Sequence, residues 1–543
     1  MAHGDHAPCG SLDGRAAARL RLIGGESAAF RAKPTLDLSA ARHFAAVDLG
    51  ADSGRVVLGA LEPRGEVTLE VVHRFANRGV RLADGLHWNL LGLFAETLEG
   101  LRHAAARAPL SGVGIDSWGC DYGLLDSSLR LLGLPFHYRD QRTNGMIDRA
   151  HARVGADQLY AVTGIQTMAI NTIFQLVAEA DGAAAGVAAR IALVPDLFGL
   201  WLTGTLENEI TAASTTGLLD ARTGSWAREL IARLGLPPAP FARDPVEPGT
   251  PLGPVLESHR ESAGDGAGAP VWTVAGHDTA AAFVATPLAG AHEAVLSSGT
   301  WSLLGLEVAE PFLGERAAAL NLTNERGLDG TIRLLRNVMG LWLLQECRRA
   351  WALAGTPWDY DELHTLAAAA RAEVALFDPD DAGLLAPGGD MPARIAALCV
   401  AAGQQAPATP GELVRSILVS LACKYRLVLA RLEQVSATRI ERLHVVGGGA
   451  RNALLCQLTA DVCGVELLTG SQEATALGNV LIQARAAGAL DGSLTELREI
   501  AAASSRSLSY LPADAASAAE TYARFVAVTG LIAPNPRPTE VGS

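Results

Sequence analysis

The chain has 543 residues, 49% of them hydrophobic and 19% charged, with a formal net charge of −14. That length exceeds what a single hydrophobic core fills, so two domains are expected. The acidic balance argues against nucleic acid or a membrane surface as partner, since both favour a basic face, and leaves small ligands open.

Residues 1–41 mix Gly, Ala, His and Arg without the compact apolar stretch of a secretory signal. They read as a poorly ordered extension or as the result of a misplaced start codon. The folded part is expected from His43. Phe44–Val47 reads as a buried strand, Gly50–Gly54 as a tight turn and Arg55–Ala60 as a returning strand. A hairpin around a glycine turn differs from Rossmann and P-loop motifs, which pass from strand into helix. Leu90–Ala106 carries apolar residues three and four apart, the spacing of an amphipathic helix, and Gly112–Asp116 is again strand-like. No segment supplies the roughly 18 apolar residues that a bilayer span needs. Ile191–Leu202 comes nearest but contains Pro195 and Asp196.

Proline, glycine and acidic residues cluster between Leu236 and Val271, which reads as a long surface excursion. Val271–Ala275 returns to strand, and Gly276-His277-Asp278-Thr279 opens an Ala-rich helix. Ala294–Ser297 and Ser302–Leu306 form a second hairpin around Ser298-Gly299-Thr300, as if the first unit were used twice. Glu412–Glu433 is a long helix. Leu443–Val446 is a strand leading into Gly447-Gly448-Gly449, and Asn452–Cys463 follows as a helix. The boundary between halves is placed near residue 285.

Three glycine-rich turns, Asp48–Arg55, Ser297–Trp301 and Val446–Asn452, each allow a sharp bend with several N–H groups aimed at an anion. Together they suggest a nucleotide held between two domains. Lys33 and Lys424 are the only lysines, and neither a Walker Gly-Lys-Ser/Thr nor a candidate for the protein-kinase strand lysine is present. ATP phosphates would therefore have to meet backbone N–H groups, arginine and a metal. The seven cysteines are irregularly spaced with no C-x-x-C, as in a reducing cytoplasm.

Individual residues leave alternatives open. Asp278, ahead of an Ala-rich helix, is either a cap or a general base facing a cleft. Asp48 is either a turn residue or a water-mediated ligand of Mg²⁺, and Asp52 reads as solvent-facing. Ser298 and Thr300 suit phosphate contact and are also ordinary turn formers. The triple glycine either presents N–H groups to a ligand or is a flexible corner. His277 reads as structural, the adjacent carboxylate being the better base for a sugar hydroxyl. Trp88, Trp118, Trp301 and Trp342 either line a sugar pocket or pack in the core.

Several segments together carry a resemblance: Ala46–Ala51 with Ser53–Arg55, Gly114–Asp116 with Trp118-Gly119, Tyr138–Asp140 with Arg142–Gly145, His277–Thr279, Leu296–Leu303, Asn337 with Met339–Gln345, and Leu443–Gly449. With these the chain resembles the FGGY carbohydrate kinases over about His43 to Val528. The resemblance implies an α/β fold of two actin/hexokinase/Hsp70-like (ribonuclease H-like) domains with a cleft between them. The domains would be residues 42–285, on the sugar and phosphate side, and 286–530, on the nucleotide side, with a flexible tail at 531–543. It implies a cytoplasmic enzyme that uses ATP and Mg²⁺ to phosphorylate a small sugar, L-rhamnulose, at its 1-hydroxyl. Carried over by position, Ala51, Asp52, Ser53, Gly54, Arg55, Thr300, Gln345 and Gly448 would bind ATP. Gly119, His277, Asp278, Thr279 and Asn337 would bind the sugar, with Asp278 as base and Asp48 at the metal. Gly276 and Asp52 depart from the family pattern, which has serine at both places. Alternatives are a kinase for L-fuculose or another ketose, and a nucleotide-gated binding module without catalysis. The oligomeric state is left open.

Overall fold

The computed structural model describes residues 21–22 and 40–532. The expected extension and tail therefore lie outside the described residues, except for 21–22, 40–41 and 531–532.

The first half is built on a mixed sheet. Strands β1 (Arg42–Leu49), β2 (Ser53–Leu61) and β3 (Val67–Ala76) form an antiparallel meander. Helix α1 (Leu90–Ala105) follows, then β4 (Leu110–Ser117), which pairs parallel to β1. The strands β5 (Pro251–Pro254) and β6 (Pro270–Trp272) complete the order β5-β6-β4-β1-β2-β3. Phe44, Ala45, Ala46 and Val47 are all fully buried, because β1 is covered on both faces. The apolar stripe of α1, with Leu90, Leu93, Leu98 and Leu101 buried, lies on the sheet, and Asn89 caps the helix by accepting from the Gly92 N–H at 3.2 Å.

The segment 236–271 corrects the expectation of a purely surface excursion. It contributes β5 to the sheet edge and buries Phe241, Leu252 and Val255. Prolines bracket β5, which fits an edge strand, where a missing N–H costs no ladder bond. The expected strand 271–275 ends at Trp272, and the chain then turns into α2 (Asp278–Val284).

The second half repeats the plan. Strands β7 (Glu293–Ser298) and β8 (Trp301–Val308) form the second hairpin, followed by β9 (Thr323–Arg326) and β10 (Ile332–Met339). Helices α3 (Trp342–Leu353) and α4 (Pro410–Ser436) precede β11 (Arg442–Val446). The triple glycine leads into a short 3₁₀ turn, Gly448–Arg451, before α5 (Ala453–Cys463) starts under the Asn452 cap. Then come β12 (Glu466–Thr469), α6 (Ala474–Ala486) and β13 (Leu508–Tyr510). The sheet order is β13-β12-β11-β7-β8-β10-β9, and Arg21–Leu22 pairs with β13 at its edge. The first sheet thus runs β3-β2-β1-β4-β6-β5 and the second β9-β10-β8-β7-β11-β12-β13, each with antiparallel strands on one side of its first strand and two parallel strands on the other.

Helices α2 and α6 pack on each other between the two sheets, within one core that joins Phe44 and Val57 of the first sheet to Val295 and Val446 of the second. The contact is more than apolar. Asn479 of α6 donates to the Asp116 carboxylate at 2.6 Å and to the Gly114 carbonyl at 3.2 Å, while Gln483 donates to the Ala45 carbonyl at 3.1 Å. Among the described residues no helix is long and apolar enough to cross a membrane.

Candidate active site

The strand ends of both sheets and the N-terminal end of α2 converge on one cleft of about 280 Å³. Thirteen of the predicted positions, counting Asp48, line this cleft: Asp48, Ala51, Asp52, Ser53, Arg55, Gly119, His277, Asp278, Thr279, Thr300, Asn337, Gln345 and Gly448. Gly54 alone does not. It is buried under Phe75, and a Cβ at Gly54 would stand 2.2 Å from that ring, so glycine is there to let the strands approach. Trp118 and Trp301 also line the cleft, whereas Trp88 stacks on His137 with ring centroids 3.9 Å apart and Trp342 packs behind the wall.

Asp278 opens α2 with its side chain 32% exposed. One carboxylate oxygen, Oδ1, accepts from the Thr279 N–H at 2.5 Å and from the Thr279 hydroxyl at 3.1 Å, and Oδ2 is unpaired. Burial raises its pKa above the ordinary carboxylate range, and the neighbouring His277 only partly opposes this. His277 Nε2 lies 3.5 Å from Asp278 Oδ1. On the other side of the ring, Nδ1 lies 3.2 Å from an Arg333 nitrogen and 3.3 Å from Glu325 Oε2. Arg333 and Glu325 pair at 3.1 Å and are 0% and 4% exposed. Burial alone would raise the Glu325 pKa, but the Arg333 charge and His277 bring it below the usual value. Nδ1 thus faces a cation and a carboxylate, while Nε2 faces Asp278.

Gly276 has a structural cause. Its N–H donates to Glu209 Oε2 at 2.9 Å, and a Cβ would meet the same oxygen at 2.9 Å. Glycine leaves room for a buried glutamate that also accepts from the Thr211 hydroxyl at 2.7 Å.

At the opposite wall Asp48 Oδ2 is held by Arg55, Nε at 2.9 Å and Nη2 at 2.6 Å, while Oδ1 is unpaired. Arg55 reaches across the halves to Glu473 at 2.8 Å. Burial works against its charge, yet Asp48 and Glu473 raise its pKa further. Asp116 lies beside Asp48 on the neighbouring strand and is fully buried; burial and the Asp48 charge hold its pKa well above normal. Asn77 fixes the turn between β1 and β2 by donating from its side chain to the Gly50 carbonyl and from its N–H to the Asp52 carbonyl, both at 2.9 Å. Asp52 is exposed at the edge of the cleft.

The third and second glycine turns fit into each other. A Cβ at Gly449 would stand 2.0 Å from Ser298 Oγ, whereas one at Gly448 meets nothing within 4 Å. The Thr300 carbonyl accepts from the N–H groups of Gly340 and Trp342 at 3.2 and 3.1 Å, tying this turn to the start of α3. Gln345 Oε1, one turn into α3, is buried without a partner. Asn337 is fixed by Gln166, which accepts from its N–H at 2.8 Å.

Several supporting residues had no sequence signal. Glu325 and Arg333 sit on β9 and β10, about 50 residues beyond the histidine they hold. Asp121, four residues past Ser117, accepts from the indole N–H groups of Trp88 at 2.5 Å and Trp118 at 2.9 Å and from Gln175 at 2.9 Å. The loop Ile165–Asn171 contributes Ile165, Met168, Ile170 and Asn171 to the cleft. Six cysteines are free among the described residues.

Comparison with known proteins agrees with this geometry. Residues 45–285 match the N-terminal domain of the FGGY family of carbohydrate kinases and residues 294–487 its C-terminal domain. The chain is 39% identical to a rhamnulokinase from Bacteroides thetaiotaomicron over 487 residues, 89% of this chain and 99% of that protein. It is 41% identical to a rhamnulokinase from Pectobacterium carotovorum over 455 residues, 83% of this chain and 89% of the relative. In fold it is similar to a gluconate kinase from Lactobacillus acidophilus, with a TM-score of 0.71 at 16% identity over 90% of this chain and 97% of that one. A Plasmodium falciparum glycerol kinase with ADP superposes with a TM-score of 0.69 at 14% identity, covering 91% of this chain and 99% of the other.

Proposed function

The chain belongs to the FGGY family of carbohydrate kinases, and from that premise we propose that it transfers the γ-phosphoryl group of ATP to the 1-hydroxyl of L-rhamnulose. The observation that carries the substrate is the likeness to rhamnulokinases along nearly their whole length.

Phosphoryl transfer runs through a loose transition state, so the protein's task is to place the groups and stabilise charge. Asp278 is the base in this reading. Thr279 occupies Oδ1, which leaves Oδ2 for the acceptor hydroxyl. Burial raises the pKa of Asp278, which makes it a stronger base. His277, backed by Glu325 and Arg333, orients the carboxylate and meets the sugar together with Gly119, Thr279 and Asn337. Ala51, Ser53, Arg55, Thr300, Gln345 and Gly448 meet ATP, and the unpaired Gln345 Oε1 supports a ligand at that position. Asp48 fits Mg²⁺: its Oδ1 is free, its Oδ2 is anchored, and Mg²⁺ takes one or two carboxylates and keeps much of its water. Bound there, the ion would neutralise charge on the phosphate oxygens.

The test is ADP release by the enzyme with MgATP and a panel of L-rhamnulose, L-fuculose, L-xylulose, L-ribulose and glycerol. The expected preference for L-rhamnulose is about 100-fold in kcat/KM, or roughly 2.7 kcal/mol of differential transition-state binding. Equal or better turnover of another ketose would overturn the substrate.

A further inference from the structure

Arg139 is a buried cation, 6% exposed, on the segment that follows the sugar-side wall. Its guanidinium carbon lies 5.2 Å from the ring centroid of Tyr138, 4.9 Å from that of Trp301 and 3.9 Å from that of Trp342. One nitrogen donates to the Leu385 carbonyl at 2.7 Å, while Nε and Nη2 are buried without hydrogen-bond partners. Among the described residues no carboxylate pairs with it, so the aromatic faces supply its electrostatic stabilisation.

Each of the three rings belongs to a different part of the site. Tyr138 lines the cleft in the first half, and its hydroxyl accepts from the Trp301 indole N–H at 3.2 Å. Trp301 follows Thr300 directly and also lines the cleft. Trp342 is the first residue of α3, which carries Gln345, and its N–H donates to the Thr300 carbonyl at 3.1 Å. Arg139 therefore touches both the sugar-side wall and the two nucleotide-side elements. We infer that Arg139 is a positioning residue that holds Thr300 and Gln345 in register with the sugar wall, coupling donor to acceptor without touching either. This rests on the kinase reading above, because register between two substrates matters only to a transfer reaction.

The chemistry restricts what can replace it. A planar guanidinium spreads its charge over several ring faces and keeps a donor for Leu385. A lysine ammonium is a compact, strongly hydrated point charge and cannot do both. Misplacement of about 1 Å between reacting groups costs roughly 10²-fold in rate.

The experiment compares full-length wild type, R139K, R139M and W342L. Thermal melting confirms folding, steady-state kinetics gives kcat and both KM values, and calorimetry gives the affinity for a non-hydrolysable ATP analogue without sugar. The expected result is a fall in kcat of at least 10-fold in R139M and W342L, with R139K no better than threefold above R139M. The analogue should bind at least threefold more weakly to both R139M and W342L. W342L removes only the nearest ring and leaves Arg139 in place, so it decides the matter if R139M does not fold. Wild-type kcat and analogue affinity in W342L, or full rescue by R139K, would overturn the role. Should the wild type turn over no ketose, the kinase reading fails, and the sugar-free nucleotide arm still decides whether Arg139 holds the nucleotide side.

Discussion

Replacing Glu325 by glutamine keeps its shape and removes its charge, which isolates the electrostatics behind His277. The carboxylate stands 3.1 Å from Arg333 and 3.3 Å from His277 Nδ1, and the Arg333 side chain has no exposure. At an effective dielectric near 20 the Arg333–Glu325 attraction is about 5 kcal/mol. E325Q leaves the Arg333 charge buried without a counter-ion, a change that costs about 3–5 kcal/mol. In a domain of this size each kcal/mol moves the melting midpoint by about 2 °C, so a fall of roughly 6–10 °C is expected by calorimetry. The double variant E325Q/R333M buries neither charge and should recover most of the loss, since a packed apolar replacement of an ion pair is near neutral in stability. It should not recover activity, because His277 then lacks both charged partners at Nδ1, and kcat/KM for the ketose should stay at least 10-fold down. A stability loss under 1 kcal/mol in E325Q, or a double variant less stable than the single, would refute the reasoning.

Two further outcomes follow from packing and burial. G449A should raise KM for ATP at least 10-fold and lower the melting midpoint, because its Cβ would stand 2.0 Å from Ser298 Oγ, whereas G448A, with nothing within 4 Å, should leave the midpoint unchanged; a parallel thermal and kinetic comparison checks this. Burial, only partly offset by hydrogen bonds, raises Asp196 and Glu209 to about 7. Each therefore keeps in the fold a proton that the unfolded chain has already lost. Their stability contribution is full below about pH 4 and declines as the pH rises to about 7, by at most about 4 kcal/mol each. Urea unfolding should show the stability of wild type relative to D196N falling across that window, and a pH-independent difference would contradict it.

The sequence disclosed local features well and distant ones poorly, for a physical reason. Both hairpins and their glycine turns were legible because strand alternation and turn chemistry act within about ten residues. The cleft-lining positions at those turns were legible with them. The polar composition of 236–271 masks Leu252 and Val255, which are buried only once β5 joins the sheet edge. The contact of Gly54 with Phe75 is equally hidden, because Phe75 comes from the next strand. The supports of the site were out of reach: Arg333 acts on a histidine 56 residues away, and Asn479 on Asp116 across 363. Nothing in an Arg on a strand or an Asn in a helix marks such a partner. Arg139 and the loop Ile165–Asn171 are similar cases, meaningful only once both halves face each other.

The central claim is transfer to L-rhamnulose with Asp278 as the base, and D278N tests it most directly. Single-turnover formation of L-rhamnulose 1-phosphate should fall by ~10²–10⁴-fold, with the affinity for ATP within twofold of wild type. Wild-type transfer rates in D278N would contradict the account.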